Sequence, residues 1–321
     1  MTRFKGFKLL SAVKKYWTAL KRAAMAFIDD RAMKMSASLS YYTVFSLAPM
    51  LVIIITIVGW IYGRDAIEGR IFYQIEDLVG ASAALQIQTM IQNVTMADDS
   101  TWATALGVAT LLIGATTMFG EIQDSINTIW GIKPKPKRGW LRMLINRLLS
   151  FSMVVTIGFL MLVSLVINAL MDIFIAKLKV LLQDFTAYLV YGINFFVLWG
   201  VTTLLFAIVF KVLPDGKVTW RDALRGAGFT AVLFMLGKFA IGLYLGNSDI
   251  ASAYGAAGSI ILILLWVYYS SVILFFGAEF TKEYAFLYGT RIEPNSYAVH
   301  VEHKEVERET YKRTDLATDQ P

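Results

Sequence analysis

One stretch, SASLSYYTVFSLAPMLVIIITIVGW from Ser36 to Trp60, constrains this chain more than any other. From Met50 to Val58 it is apolar on every face, so a helix made of it has no side for water. At 1.5 Å per residue the whole run can cross a hydrocarbon core of about 30 Å. Its first half differs, because Ser36, Ser40 and Thr43 share one stripe at helical spacing. Pro49 then removes a backbone hydrogen bond and leaves the Phe45 carbonyl without its usual donor. In lipid that carbonyl needs another partner, so this crossing is expected to pack against other helices. The chain reads as a polytopic, all-α membrane protein.

Composition agrees. Of 321 residues, 57% are hydrophobic and 17% charged, against about 25% charged in a soluble domain. The pattern predicts six transmembrane helices, at about 36–60, 102–121, 148–170, 191–210, 226–246 and 258–280. Residues 61–101, where Ile67, Ile71, Ile75, Leu78 and Leu85 recur, are expected to form an outer helical region. Residues 282–321 are read as a polar tail without fixed structure beyond about Pro294.

Charge sets the orientation. Residues 1–35 carry nine Lys or Arg, the loop 133–147 six, the loop 211–225 four and the tail six. The opposite side has two, two and none. The positive-inside rule then places both termini in the cytoplasm. Trp60 and Trp102 are expected at the outer interface, and Trp130, Trp140 and Trp220 at the inner one. The N-terminus lacks an apolar core followed by a small-residue cleavage site, so no cleaved signal peptide is read. Within residues 1–35, Leu10, Val13, Trp17, Leu20, Ala24 and Phe27 recur at spacings of three and four among basic residues. This helix can lie on a membrane surface or pack on the protein's own cytoplasmic face. Topology accounts for its charge without nucleic acid.

Four segments resemble the YihY/BrkB family of bacterial inner-membrane proteins, formerly labelled ribonuclease BN. They are ASLSYYTVFSLAPML (37–51), IQDSINTIWGI (122–132), the region from Lys238 to Tyr254-Gly255, and LLWVYYSSVILFFGAEF (264–280). The resemblance spans roughly residues 30–290. It implies six helices in the bacterial inner membrane and a role in envelope biology. The activity it suggests centres on transport or translocation of lipids or other envelope components, and it treats the ribonuclease label as a misassignment.

The candidate residues follow from cost. Lys238 lies inside the fifth crossing, where a charge costs about 2.5–3.5 kcal/mol by insertion scales. It either snorkels to an interface or faces the bundle. Gly242 and Gly246 continue its stripe with GxxxG spacing, which suggests a helix-packing face. A polar cavity is expected among Lys238, Ser36, Ser40, Thr43, Pro49, Asn127 and Glu279. The hydroxyl stripe has the plainer reading of interhelical glue. Glu121 and Asp124 read as a helix emerging into water, and Glu279 as paired with a base or hydrated. Trp266, Tyr268 and Tyr269 read as packing. Lys133, Lys135, Lys137 and Arg138 are candidates for contact with anionic headgroups.

Several chemistries find no support. The chain has no cysteine, and its two histidines, His300 and His303, lie in the tail. No GxxxxGK[ST] loop, metal-ligand cluster or nucleophile–base arrangement occurs in the spans. No catalytic residue, cofactor or metal is therefore expected, and a nuclease is disfavoured. The expected partners are membrane lipids, anionic ones among them, with a second copy or an envelope protein as further candidates. The leading reading is a transporter or lipid-translocating protein; the alternative is a non-catalytic scaffold or assembly factor.

Overall fold

The computed structural model describes residues 3–45, 85, 117–135, 186–246 and 258–301. The expectations for Pro49, Lys137, Arg138, Trp60, Trp102, Trp140, the third crossing and nearly all of 61–101 lie outside the described residues. Six helical segments are described. They are α1 (Arg3–Asp29), α2 (32–45), α3 (117–129), α4 (Thr186–Val212), α5 (Trp220–Gly246) and α6 (Gly258–Tyr288). Each of the last three contains a stretch apolar and long enough to cross a membrane. Only 17% of Phe195–Val212 is buried in the fold, so most of that apolar surface is left for lipid.

The helix ends converge on α3. Phe119, Ile122, Ile126 and Ile129 are buried, as are Gln123, Ser125 and Asn127. Burial on almost every side makes α3 the axis of this end of the bundle. Around it lie Ala32 and Leu39 of α2, Ala207 and Phe210 of α4, Ala223 and Ala227 of α5, and Phe275 and Ala278 of α6. Trp130 belongs to this core as well. Its indole N–H donates to the Ala278 carbonyl at 3.2 Å, so it is an internal strut and not an interface anchor. Trp220, by contrast, is exposed.

α5 and α6 pack antiparallel through two reciprocal glycine–threonine contacts. A Cβ on Gly226 would lie 1.9 Å from the Thr281 hydroxyl, and one on Gly277 would lie 2.0 Å from the Thr230 hydroxyl. Each threonine donates its hydroxyl to a glycine carbonyl of its own helix, Thr230 to Gly226 and Thr281 to Gly277, both at 2.7 Å. The hydroxyls are thus satisfied locally while their side chains fill the opposite glycine's vacancy. In a membrane, where burial from water contributes little between helices, such close backbone approach supplies dispersion contacts. Farther along, Gly237 receives the Tyr269 ring, whose hydroxyl would sit 1.3 Å from an added Cβ. Between α5 and α6 the close glycine contacts among the described residues therefore fall at 226, 237 and 277. Gly242 is exposed, with nothing described near it, and Gly246 closes α5.

The segment after α6 departs from the expected tail. α6 continues to Tyr288, and residues 289–301 form an ordered strap. Strand β1 (Ile132–Pro134) pairs antiparallel with β4 (Ala298–His300), and β2 (Gly216–Lys217) with β3 (Glu293–Pro294). The described residues are thus helical with two small strand clips, each tying an interhelical loop to the strap. Gly131 makes the first clip possible. It ends α3 at φ +64°, where a side chain is strained, and its carbonyl accepts from the Val301 N–H at 2.8 Å.

Gly226→Ala should lower stability by about 1–2 kcal/mol, because overpacking costs more than the roughly 1 kcal/mol of helix propensity gained. Adding Thr281→Ala removes the hydroxyl at 1.9 Å and the methyl at 3.1 Å, leaves the Thr281 Cβ position at 2.8 Å, and should recover part of the loss. Thermal unfolding midpoints in detergent read both; an unchanged midpoint in the single variant contradicts the interlock.

Candidate functional site

Three polar clusters lie at the convergent end, and each joins elements far apart in sequence. The first centres on Lys282, one turn from Glu279 on α6. Its ammonium donates to Glu279 Oε2 at 3.0 Å, to Asp30 Oδ2 at 3.2 Å and to the Ile129 carbonyl at 2.6 Å. One cation thus holds the α1–α2 turn and the last carbonyl of α3 against α6. A cation at a helix C-terminus also meets the negative end of its dipole. Glu279 is 0% exposed, and its Oε1 meets no donor among the described residues. Of the two readings for this carboxylate, the structure shows the paired one.

The second cluster centres on Asp215, which is 2% exposed in the Pro-Asp-Gly turn between α4 and α5. The Asn127 side-chain amide donates to its Oδ2 at 2.8 Å, and the Gln123 amide donates to its Oδ1 at 3.2 Å. The Asp215 backbone N–H returns a bond to the Asn127 oxygen, also at 2.8 Å. Asn127 therefore pairs with a turn and not with a mid-membrane group. The Asp215 carbonyl accepts from the Asn295 N–H of the strap.

The third cluster caps α5. Thr219 accepts from the Asp222 N–H at 3.3 Å and donates its hydroxyl to Asp222 Oδ2 at 2.8 Å. The same oxygen accepts from the Thr290 N–H at 3.0 Å, and Arg225 reaches Oδ1 at 3.3 Å. An acidic residue in a first turn is favoured by the dipole and can bind free N–H groups. Here it also fastens the start of the strap.

Of the expected cavity residues, Glu279 and Asn127 fall in two separate clusters, and Lys238, Ser36, Ser40 and Thr43 lie in none of the three. Ser36, Ser40 and Thr43 are buried on one face of α2, and their hydroxyls donate within that helix, to Ala32, Ala37 and Leu39. Lys238 is half-buried in α5, next to Gly237 and its Tyr269 contact. The antiparallel register sets Gly226 opposite Thr281 and Gly277 opposite Thr230. By that register Glu279 lies level with residue 228, about 15 Å along α5 from Lys238. The two charges belong to different depths. Lys133 and Lys135 are exposed beside the first clip, Asp124 is exposed, and Glu121 is half-buried. Among the described residues no group of three or more His, Cys, Asp or Glu could hold a metal.

Sequence reasoning missed Lys282, Asp30, Asp215, Gln123 and Asp222. Local signals existed for two of them: Lys282 follows Glu279 at i+3, and Thr219-x-x-Asp222 is a capping pattern.

Apolar helices open to lipid, held at one end by buried polar contacts, define an integral membrane protein. A profile of the Virulence factor BrkB family matches residues 23–298, and the chain belongs to that family. It is 27% identical over 262 residues to a "UPF0761 membrane protein" of Saccharophagus degradans, covering 81% of this chain and 58% of that one. A Pseudomonas aeruginosa protein of the same description is 28% identical over 271 residues, 79% of this chain and 60% of the relative. An Alteromonas mediterranea relative is 25% identical, with coverage of 79% and 83%. The chain thus spans about three-fifths of the length of the first two. No solved structure matches it.

Lys282→Met should cost about 2–4 kcal/mol. That is below the 3–5 of a fully buried broken pair, because Lys282 and Asp30 keep some water contact. Asn127→Ala, which strips a donor from buried Asp215, should cost about 1–3 kcal/mol. Denaturation in detergent checks both, and losses under 0.5 kcal/mol, the scale of surface substitutions, contradict the assignment.

Proposed function

We propose that this is a six-span protein of the bacterial inner membrane, with both termini cytoplasmic, that translocates a lipid or another anionic amphiphile. The observation that carries the reading is Lys238. It is half-buried in α5, twelve residues past Gly226 and eight before Gly246, about 18 Å and 12 Å from the two ends of the fifth crossing at 1.5 Å per residue. A charge retained at such depth is costly and usually serves a pathway. An anionic headgroup passing this level would gain a charge-assisted hydrogen bond from the ammonium. Beside it, the contact between Gly237 and Tyr269 holds α5 close to α6 and fixes the backbone from which Lys238 projects. The exposed Lys133 and Lys135 would draw anionic headgroups toward the cytoplasmic face.

A second reading, a non-catalytic scaffold, is favoured by the inner end itself. Interlocked glycines, buried polar clusters and strand clips suit a part that does not move. The two readings part on turnover. In vesicles holding the purified protein and a fluorescent phospholipid, an impermeant reductant should bleach probe from both leaflets. Lys238→Met should fold, insert and slow that exchange at least tenfold. Equal rates in empty vesicles and vesicles with protein favour the scaffold; equal rates in variant and wild type remove Lys238 from the pathway.

The orientation has its own test. Single cysteines at Ser82 and Lys135 should label in intact cells at 82 and not at 135 with an impermeant thiol reagent. The reverse pattern overturns the topology.

A further inference from the structure

α1 has two working faces, and the fold uses one. Ala19, Ala23 and Phe27, at intervals of four, pack on Phe280, Tyr284 and Phe276 of α6. Tyr16 stacks near Phe280 and Tyr284, Lys15 sits over Tyr288, and Arg22 approaches Glu283 at 4.0 Å. The second stripe is Lys14, Trp17, Lys21, Ala24 and Ile28, with steps of three and four, and all five are exposed. It lies about 140° around the helix from the packed stripe, at 100° per residue. Trp17 is 66% and Ile28 73% exposed.

We infer that this second stripe docks into the anionic headgroup layer of the protein's own bilayer, so that α1 bridges α6 and the lipid. Depth and chemistry run together along it. α1 is antiparallel to the end of α6: Phe27 meets Phe276, Ala23 and Ala19 meet Phe280 and Tyr284, and Lys15 meets Tyr288. Ile28 and Ala24 are then level with about residues 275 and 279, inside the sixth crossing. Lys21 falls about 3 Å beyond residue 280 and Trp17 about 9 Å, across the headgroup layer. Within this stripe aliphatic side chains sit deepest, with lysines and a tryptophan above them, the order that a bilayer interface favours. The exposed Asp29 lies on another side of the helix and the exposed Arg31 in the turn beyond it. The lysines supply the complement to anionic lipid, each adding roughly a fivefold preference at an anionic surface.

The inference rests on the six-span reading for which leaflet is met, and labelling at residue 135 tests that separately. The chain has no cysteine, so spin labels can be placed singly at positions 17, 28 and 29 of the full-length protein. Asp29 is exposed, beside Ile28 at the same depth but on another side of the helix. Each variant is reconstituted in phosphatidylcholine vesicles with and without phosphatidylglycerol. The expected result is that the label at 28 meets lipid-soluble oxygen and is shielded from a water-soluble nickel chelate, whereas the label at 29 is open to nickel. The label at 17 should be shielded more with phosphatidylglycerol, and Lys14→Gln with Lys21→Gln should abolish that difference. Labels at 17 and 28 as open to nickel as that at 29 would overturn the inference. Shielding at 17 that ignores lipid charge would overturn its anionic part. Spin–spin broadening with loss of oxygen contact would show a second copy covering the stripe instead.

Discussion

The convergent end of this protein depends on one ammonium group. Lys282 meets two carboxylates and a helix-terminal carbonyl, and those three partners come from the α1–α2 turn, α6 and α3. Removing a charge from water is expensive, and the cost is offset only when several good acceptors surround it. Here the acceptors can surround it only if the three elements are already in place. The ionic contact therefore adds specificity more than attraction: other packings of these apolar helices would strand Lys282 or Glu279. The glycine–threonine interlock supplies what the charges do not, a close and directional fit between α5 and α6.

Much of this was legible in sequence, for a physical reason. Lipid imposes its length and polarity on a helix locally, so α4, α5 and α6 are visible without knowing their neighbours. The segment 122–132 stood out by resemblance, and its Ile122, Ile126, Ile129 and Trp130 prove to lie in the core shared by all the described helices. What stayed hidden depends on partners. Asp215 reads as a turn residue, since Gln123 and Asn127 are 92 and 88 positions away. Lys282 counted as one charge of a polar tail, because its i+3 spacing from Glu279 is a local hint that says nothing of Asp30 or the Ile129 carbonyl. Trp130 looked like an interface anchor, since a tryptophan near a basic loop is more often that. Gly242 sat in the better motif, yet among the described residues close packing falls at Gly226 and Gly277, whose complementary threonines lie on the other helix. The N-terminal helix had two readings of equal weight, and the observed contacts with α6 satisfy one without using the stripe that carries the other.

The strap also bears on the order of events during synthesis. Its strands bond to loops made far earlier, Ile132 opposite His300 and Gly216 opposite Pro294. Those pairings are strongly non-local, and such contacts close late, after their loop entropy has been met. The spanning helices can therefore insert one by one while their convergent ends stay loose. Only when the last stretch emerges do both loops gain their strand partners, Asp222 its Thr290 bond and Asp215 its Asn295 bond. The chain ties its bundle shut with the final residues of its own membrane domain, so a nascent protein stalled before residue 290 is inserted but unlatched.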